Sequence, residues 1–193
     1  MYEYISGRVS LITPTYVILD NHGMGYQLHC SLNTFSKIVH GQEITLYTHF
    51  VVREDAQLLY GFIDRDEREM FRLLISVSGV GPNTARMILS SLSTPELTNT
   101  IINGNVSGLK QVKGIGLKTA ERIIVDLRDK IGKATGEINI FAGSNNTKRE
   151  EALSALIMLG FSKNTAEKAL DKVLAGSSDE PIEVIIKQTL KLL

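Results

Sequence analysis

The sequence predicts an α+β protein in three parts: a small five-stranded β-barrel, a helical domain, and a short three-helix domain. Three observations predict it. Residues 1–63 alternate apolar and polar side chains with period two. After Phe62 the spacing changes to that of an amphipathic helix. Beyond a Gly-, Ser- and Asn-bearing stretch at 135–146, a second helical pattern fills 147–193.

The strands are "YISGRVSLI", "YVILD", "GYQLHC", "EITLYTHFVVR" and "QLLYGFI", punctuated by turns at "NHG" (21–23) and "HGQ" (40–42). Five short strands are too few for a large sandwich and suit a closed barrel, because closure removes exposed edges. Gly7 and Gly61 interrupt strands, where bends or bulges are expected. From residue 64 to 134 about five helices are expected. Phe71, Leu74, Ile75 and Ser78 form one stripe, Ala85, Ile88, Leu89 and Leu92 another, and Ala120, Ile123, Ile124, Leu127 and Ile131 a third. "TPEL" at 94–97 reads as a Thr cap followed by Pro at the first helical position. Residues 135–146 read as a flexible linker. The last domain opens on a capping box, "TKRE" at 147–150. Leu153, Leu156 and Ile157 follow, with Gly160 as the stop, then "NTAE" as a second cap ahead of Ala166, Ala169, Leu170 and Val173.

Net charge is zero, from 21 basic and 21 acidic residues, but it is unevenly spread. Residues 1–63 carry 3 basic and 5 acidic side chains, 64–134 carry 11 and 8, and 135–193 carry 7 and 8. Only the middle part is basic, and a polyanion responds to such a local patch. Cys30 is the sole cysteine, in an apolar run, and is expected to be a buried small hydrophobe in a reducing compartment. There is no leader pattern, and no run approaches the ~18 apolar residues of a membrane span, so a soluble cytoplasmic protein is expected. His22, His29, His40 and His49 show no ligand spacing, and neither a metal nor a cofactor is expected.

The middle part contains a duplication. "GVGPNTARMI" at 79–88 returns as "GIGLKTAERI" at 114–123. A Gly-aliphatic-Gly turn entering a helix allows positive φ and close approach of a neighbour. The helix start adds unpaired N–H groups and the positive end of a dipole, which together make an anion seat. Val80 and Ile115, between the glycines, should anchor each turn in the core. Two such seats could hold successive phosphates of one strand, which positions a protein on DNA without reading sequence. Gly79, Val80, Gly81, Asn83, Arg86, Gly114, Ile115, Gly116, Lys118, Thr119 and Arg122 are the candidate backbone contacts, with Lys110 and Lys113 nearby. A P-loop is excluded because Leu117 stands where Gly must precede the Lys. A dinucleotide fingerprint is excluded because no βαβ unit surrounds either copy.

Glu54 and Asp55 fall at the tip of a hairpin within "VVREDAQLLYGF". An acidic tip is by itself an ordinary solvated turn. As catalytic acids the pair lacks the burial needed to separate two pKa values. Beside phosphate seats, however, exposed carboxylates repel DNA strands from a wrong path.

The "MYEYISGRV" start, the "VVREDAQLLYGF" hairpin, the duplicated "SGVGP" and "KGIGLKTAERIIVDL", and the final "ALSALIMLGF" together resemble the RuvA family over nearly the whole chain. The resemblance implies an OB-type barrel for 1–63, tandem helix-hairpin-helix motifs for 64–134, and a mobile, UBA-like three-helix domain for 147–193. It implies a homotetramer, sometimes paired as an octamer, that binds four-way Holliday junction DNA, holds it open and square, and serves recombination, repair and the SOS response. It implies that Glu54 and Asp55 are acidic pins at the tetramer centre. It also implies no catalysis by this chain: the last domain would recruit the RuvB hexameric ATPase for branch migration, with RuvC resolvase in a larger complex. Leu156, Leu159, Phe161 and Leu170 are apolar candidates for the RuvB contact, and each also suits the core of so small a domain. Asn83 stands where many relatives are expected to be basic. The first motif should then hold its phosphate mainly by backbone N–H groups, with Arg86 compensating. Two other classes compete. One is a Mg²⁺-dependent junction nuclease using Glu54 and Asp55. The other is a single-strand binder stacking bases on Tyr2, Tyr4, Tyr16 and Tyr26, which the net acidity of 1–63 disfavours.

Overall fold

A computed structural model describes residues 2–138, 146–174 and 180–193, which fall into two compact units, 1–132 and 133–193. In the first unit, β1 (Tyr4–Ile12), β2 (Tyr16–Asn21), β3 (Met24–His29), β4 (Glu43–Val52) and β5 (Gln57–Phe62) close into a barrel in the order β1-β2-β3-β5-β4. Neighbours pair antiparallel except β3 and β5, which run parallel. Alternation does what period two requires: Ile5, Val9, Val17, Leu19, Leu28 and Leu46 fill the interior. The β2–β3 turn places His22 at φ +50° and Gly23 at φ +86°, as a tight two-residue hairpin demands.

Neither strand glycine makes a bulge; the register shift lies between Val9 and Leu11. Gly7 is required because a Cβ there would stand 2.4 Å from the Asp20 carbonyl oxygen; a Cβ at Gly61 would press on Leu28 Cβ at 3.0 Å. A single-turn helix, α1 (Leu32–Phe35), interrupts the strands and had no periodic signal to announce it. Cys30 is buried, and burial pushes its thiol up to about 11.

The helices that begin in this unit are α2 (Arg65–Ile75), α3 (Pro82–Ser91), α4 (Thr94–Ile102), α5 (Val106–Lys110) and α6 (Leu117–Ile138). Asp64 caps α2 by accepting from the Glu67 N–H at 2.8 Å. The helix ends at Ile75, so Ser78 belongs to the following turn and not to the helical stripe. Ser93, one residue before the expected Thr94, caps α4, and the Glu96 carboxylate accepts from the Ser93 N–H at 2.8 Å. Helix α6 runs on to Ile138, so 135–138, read as linker, are helical; 139–145 lie outside the described residues.

The barrel interior and the helical core are separate clusters, and β5 reaches from the barrel into the second. Tyr60 and Phe62 of β5 lie against Phe71 of α2, with ring centroids 5.0 and 4.9 Å away. Burying Phe71 is worth about 2–3 kcal/mol of transfer free energy. Arg68, almost fully buried, adds a polar link: it donates to the Glu3 carbonyl at 3.0 Å and lies over the Tyr47 ring.

In the second unit, α7 (Asn146–Met158), α8 (Lys163–Leu174) and α9 (Ile182–Leu190) surround Ala152, Leu153, Leu156, Ala166, Leu170, Val173 and Ile185. Gly160, at φ +100°, ends the first turn beyond α7. Ile157 is 41% exposed, whereas Leu153 and Leu156 are buried. Ser162, not Asn164, caps α8: its Oγ accepts from the Thr165 N–H at 3.3 Å. The capping box expected at Thr147 falls on side chains outside the described residues.

Candidate nucleic-acid interface

The duplication in the sequence is a duplication in space of the same backbone. In the first copy Val80 N–H donates to the Val77 carbonyl at 3.0 Å, Gly79 takes φ +90°, and Ala85 N–H donates to the Gly81 carbonyl at 2.9 Å. In the second copy Ile115 N–H donates to Val112 at 3.1 Å, Gly114 takes φ +88°, and Ala120 N–H donates to Gly116 at 3.0 Å. Val80 and Ile115 point inward and are buried, as are the paired Leu74 and Leu109, Ala85 and Ala120, and Ile88 and Ile123. The glycines themselves lie on the surface.

Each corner therefore presents the start of a helix whose first amides have no intrahelical acceptor. No side chain caps α3 at Gly81. Gly79 and Gly114 are glycine because of φ. Gly81 and Gly116 are not at positive φ, and a Cβ on either would meet nothing within 4 Å. The fold leaves these two positions open toward solvent.

Charge separates the corners. Around the second, Lys110, Lys113, Lys118 and Arg122 are all exposed, and Arg122 is only loosely paired with Asp126 at 3.7 Å. Thr119 is half-buried in the first turn of α6. At the first corner Asn83 replaces a cation, and its Oδ1 accepts a long 3.4 Å bond from the Tyr60 hydroxyl. Arg86 is half-buried, and its Nη1 donates to the Thr15 carbonyl, in the turn between β1 and β2, at 2.9 Å. It braces α3 on the barrel, a role that the helical spacing of the sequence could not disclose. Arg86 also combines with burial to hold the nearby His29 below its ordinary range, burial being the larger cause.

Glu54 and Asp55 are exposed at the tip of the β4–β5 hairpin, which Arg53 N–H closes by donating to the Ala56 carbonyl at 2.8 Å. Among the described residues no group of three or more His, Cys, Asp or Glu is placed to hold a metal ion. Among the described residues, too, no helix is long and apolar enough to cross a membrane.

This order of barrel, paired glycine corners and terminal helices matches known families along the chain. Residues 1–61 match the RuvA N-terminal domain, 71–129 the SAM-like helix-hairpin-helix tandem, and 147–193 the RuvA C-terminal domain. The chain is 47% identical over 193 residues to the Holliday junction branch migration complex subunit RuvA of Christiangramia forsetii, covering all of both chains. The chain belongs to the RuvA family. The RuvA subunit of Bacteroides fragilis is 48% identical over 203 residues, with both chains fully covered. That of Flavobacterium psychrophilum is 42% identical over 191 residues, with 99% of each covered.

Within the RuvA C-terminal domain, two of the four apolar candidates are core. Leu156 and Leu170 are fully buried and cannot meet a partner. Phe161 is half-buried against the same core, and Leu159 is exposed. Ile157, expected in the helical stripe with Leu153 and Leu156, and Met158 stand exposed beside Leu159; Met158 is 86% accessible.

Proposed function

We propose that this chain binds four-way Holliday junction DNA through its sugar-phosphate backbone, without reading sequence, as a homotetramer that holds the junction open and square. The observation that carries the reading is the pair of glycine corners with one backbone geometry, each opening a helix at the surface. A phosphate oxygen fits such a corner because amide donors converge there and no Cβ blocks approach at Gly81 or Gly116. Lys118, with Lys113 and Arg122 beside it, supplies charge to the second corner. Thr119, at the helix start, adds its amide.

In a four-fold assembly the Glu54 and Asp55 tips would meet at the crossover. Their carboxylates would repel phosphates there and keep the exchanging strands apart. Residues 1–63 and 64–134 would together hold the DNA, and 147–193 would recruit the RuvB hexameric ATPase, with Ile157, Met158 and Leu159 as the apolar contact. ATP hydrolysis would reside in that partner, and RuvC resolvase could join the same junction. This chain would work in the cytoplasm and hold the DNA geometry without performing chemistry.

The test is a competition among four-way junction, linear duplex and single-stranded DNA, with the mass of the complex measured in parallel. Preference for the junction and a tetramer mass support the reading. Equal affinity for single strands would move the binding face to the barrel. Mg²⁺-dependent nicking of the junction that is lost in Glu54→Gln with Asp55→Asn would make the protein a nuclease.

A further inference from the structure

Helix α1 is one turn long and has little apolar reason to exist: of its residues only Thr34 is buried, and Leu32 is 47% exposed. Its polar groups are spent on the helices instead. The Ser31 and Thr34 hydroxyls both donate to the Glu67 carboxylate of α2, Thr34 at 2.5 Å, and all three side chains are buried. Asn33 Nδ2 donates to the Leu89 and Leu92 carbonyls at the end of α3, the latter at 3.1 Å. Leu32 N–H donates to Ser90 Oγ at 3.1 Å.

Hydrogen bonds are directional and fix distance and angle, whereas apolar contact tolerates sliding. Helix α3 is thus pinned to the barrel at its far end by Asn33, in its middle by Arg86 on Thr15, and at its start by the long Tyr60–Asn83 bond.

We propose that the Ser31–Thr34 segment is a positioning latch: through Asn33 and Glu67 it sets where the first glycine corner stands relative to the barrel that carries the acidic tip. Its functional consequence, a fixed angle between DNA arm and crossover, rests on the reading of that corner as a phosphate seat. Its geometric content does not.

The experiment uses the full chain. Spin labels at Glu43→Cys on β4 and Ser78→Cys at the first corner report their separation in labelled protein diluted with unlabelled. Cys30 is buried and stays silent. Asn33→Ala and Glu67→Gln are compared with the parent, and Asn33, being half-buried, carries the test if Glu67→Gln fails to fold. The latch predicts a broadened or shifted distance distribution. It also predicts linear-duplex affinity within about twofold of the parent, and junction affinity lower by about fivefold, the equivalent of one directional bond. Fluorescence transfer between junction arms should depart from the square arrangement. An unchanged label distance would overturn the proposal, as would equal loss of duplex and junction binding. If the distances broaden but the parent itself shows no preference for junctions, the latch stands and the junction reading falls.

Discussion

At Gly79–Gly81 the following helix begins with Pro82 and Asn83; at Gly114–Gly116 it begins with Leu117 and Lys118. The backbone is the same at both, to 2° in the φ of the leading glycine and 0.1 Å in the turn hydrogen bond. The surroundings are not. Pro82 removes one amide that Leu117 retains, and Ser78 and Asn83 stand where Lys113 and Lys118 stand in the second copy. The first corner has given its polar side chains to the barrel. The second has kept its cations in solvent. On the proposed function the two corners would be equal seats for phosphate, one a fixed reference and the other an electrostatic grip.

The largest expected effect follows from that grip. Lys113→Ala with Lys118→Ala should weaken junction binding by about thirtyfold at low salt and lower the salt slope by about 2, since each lost phosphate contact removes nearly one released counterion. A titration of affinity against salt checks it. An unchanged slope would remove both lysines from the contact and erase the contrast between the corners.

The glycines sharpen the comparison in a different currency. Gly114→Ala forces an L side chain to φ +88° and should destabilise the unit by about 1–2 kcal/mol. Gly116→Ala meets open space and should change stability by less than about 0.5 kcal/mol. It should nevertheless weaken DNA binding, because its new methyl occupies the space the phosphate needs. Thermal unfolding and junction affinity measured on both variants separate the two roles. Full affinity in Gly116→Ala would mean that nothing approaches that corner closely.

A smaller effect of opposite sign is expected from Asn83→Lys, which would make the first corner resemble the second. Affinity should rise about threefold and the salt slope by about 1. No change would show that the first corner faces no phosphate.

The barrel and the corners were legible because their signals are local. Period-two alternation in β1 to β5 and the repeat at one fixed offset need no knowledge of what packs on what. What escaped was set by distant neighbours. The bond from Arg86 to Thr15 joins residues 71 apart in sequence, and no local pattern announces it. Asn33 and Glu67 carry no motif, yet they bind α1 to the helices across the chain. In the last domain Leu156 and Met158 are equally apolar letters; only the packing of three helices assigns one inward and the other outward.

The smallest expected effect concerns the joint between β4 and α2. His49 of β4 packs against Phe71 of α2 at 5.4 Å, with its Nδ1 buried and unpaired. Burial, then Arg72 and Arg68, hold its pKa below the ordinary 6.5. The folded protein therefore resists a proton that the unfolded chain accepts. Stability is retained above that ordinary value and falls as pH drops below it, until the folded imidazole titrates as well. His49→Phe keeps a ring against Phe71 and removes the titration. The stability difference between pH 8 and pH 5.5 should shrink in the variant by a fraction of the total, because His29 is held down in the same direction by burial and Arg86. If acid loosens this joint, the first corner should lose junction contact before the second does. Asn83→Lys would then gain less affinity at pH 5.5 than at pH 8, while the penalty of Lys118→Ala stays the same at both. Equal pH dependence at the two corners would mean that the barrel supports both alike, and the division between fixed reference and electrostatic grip would fail.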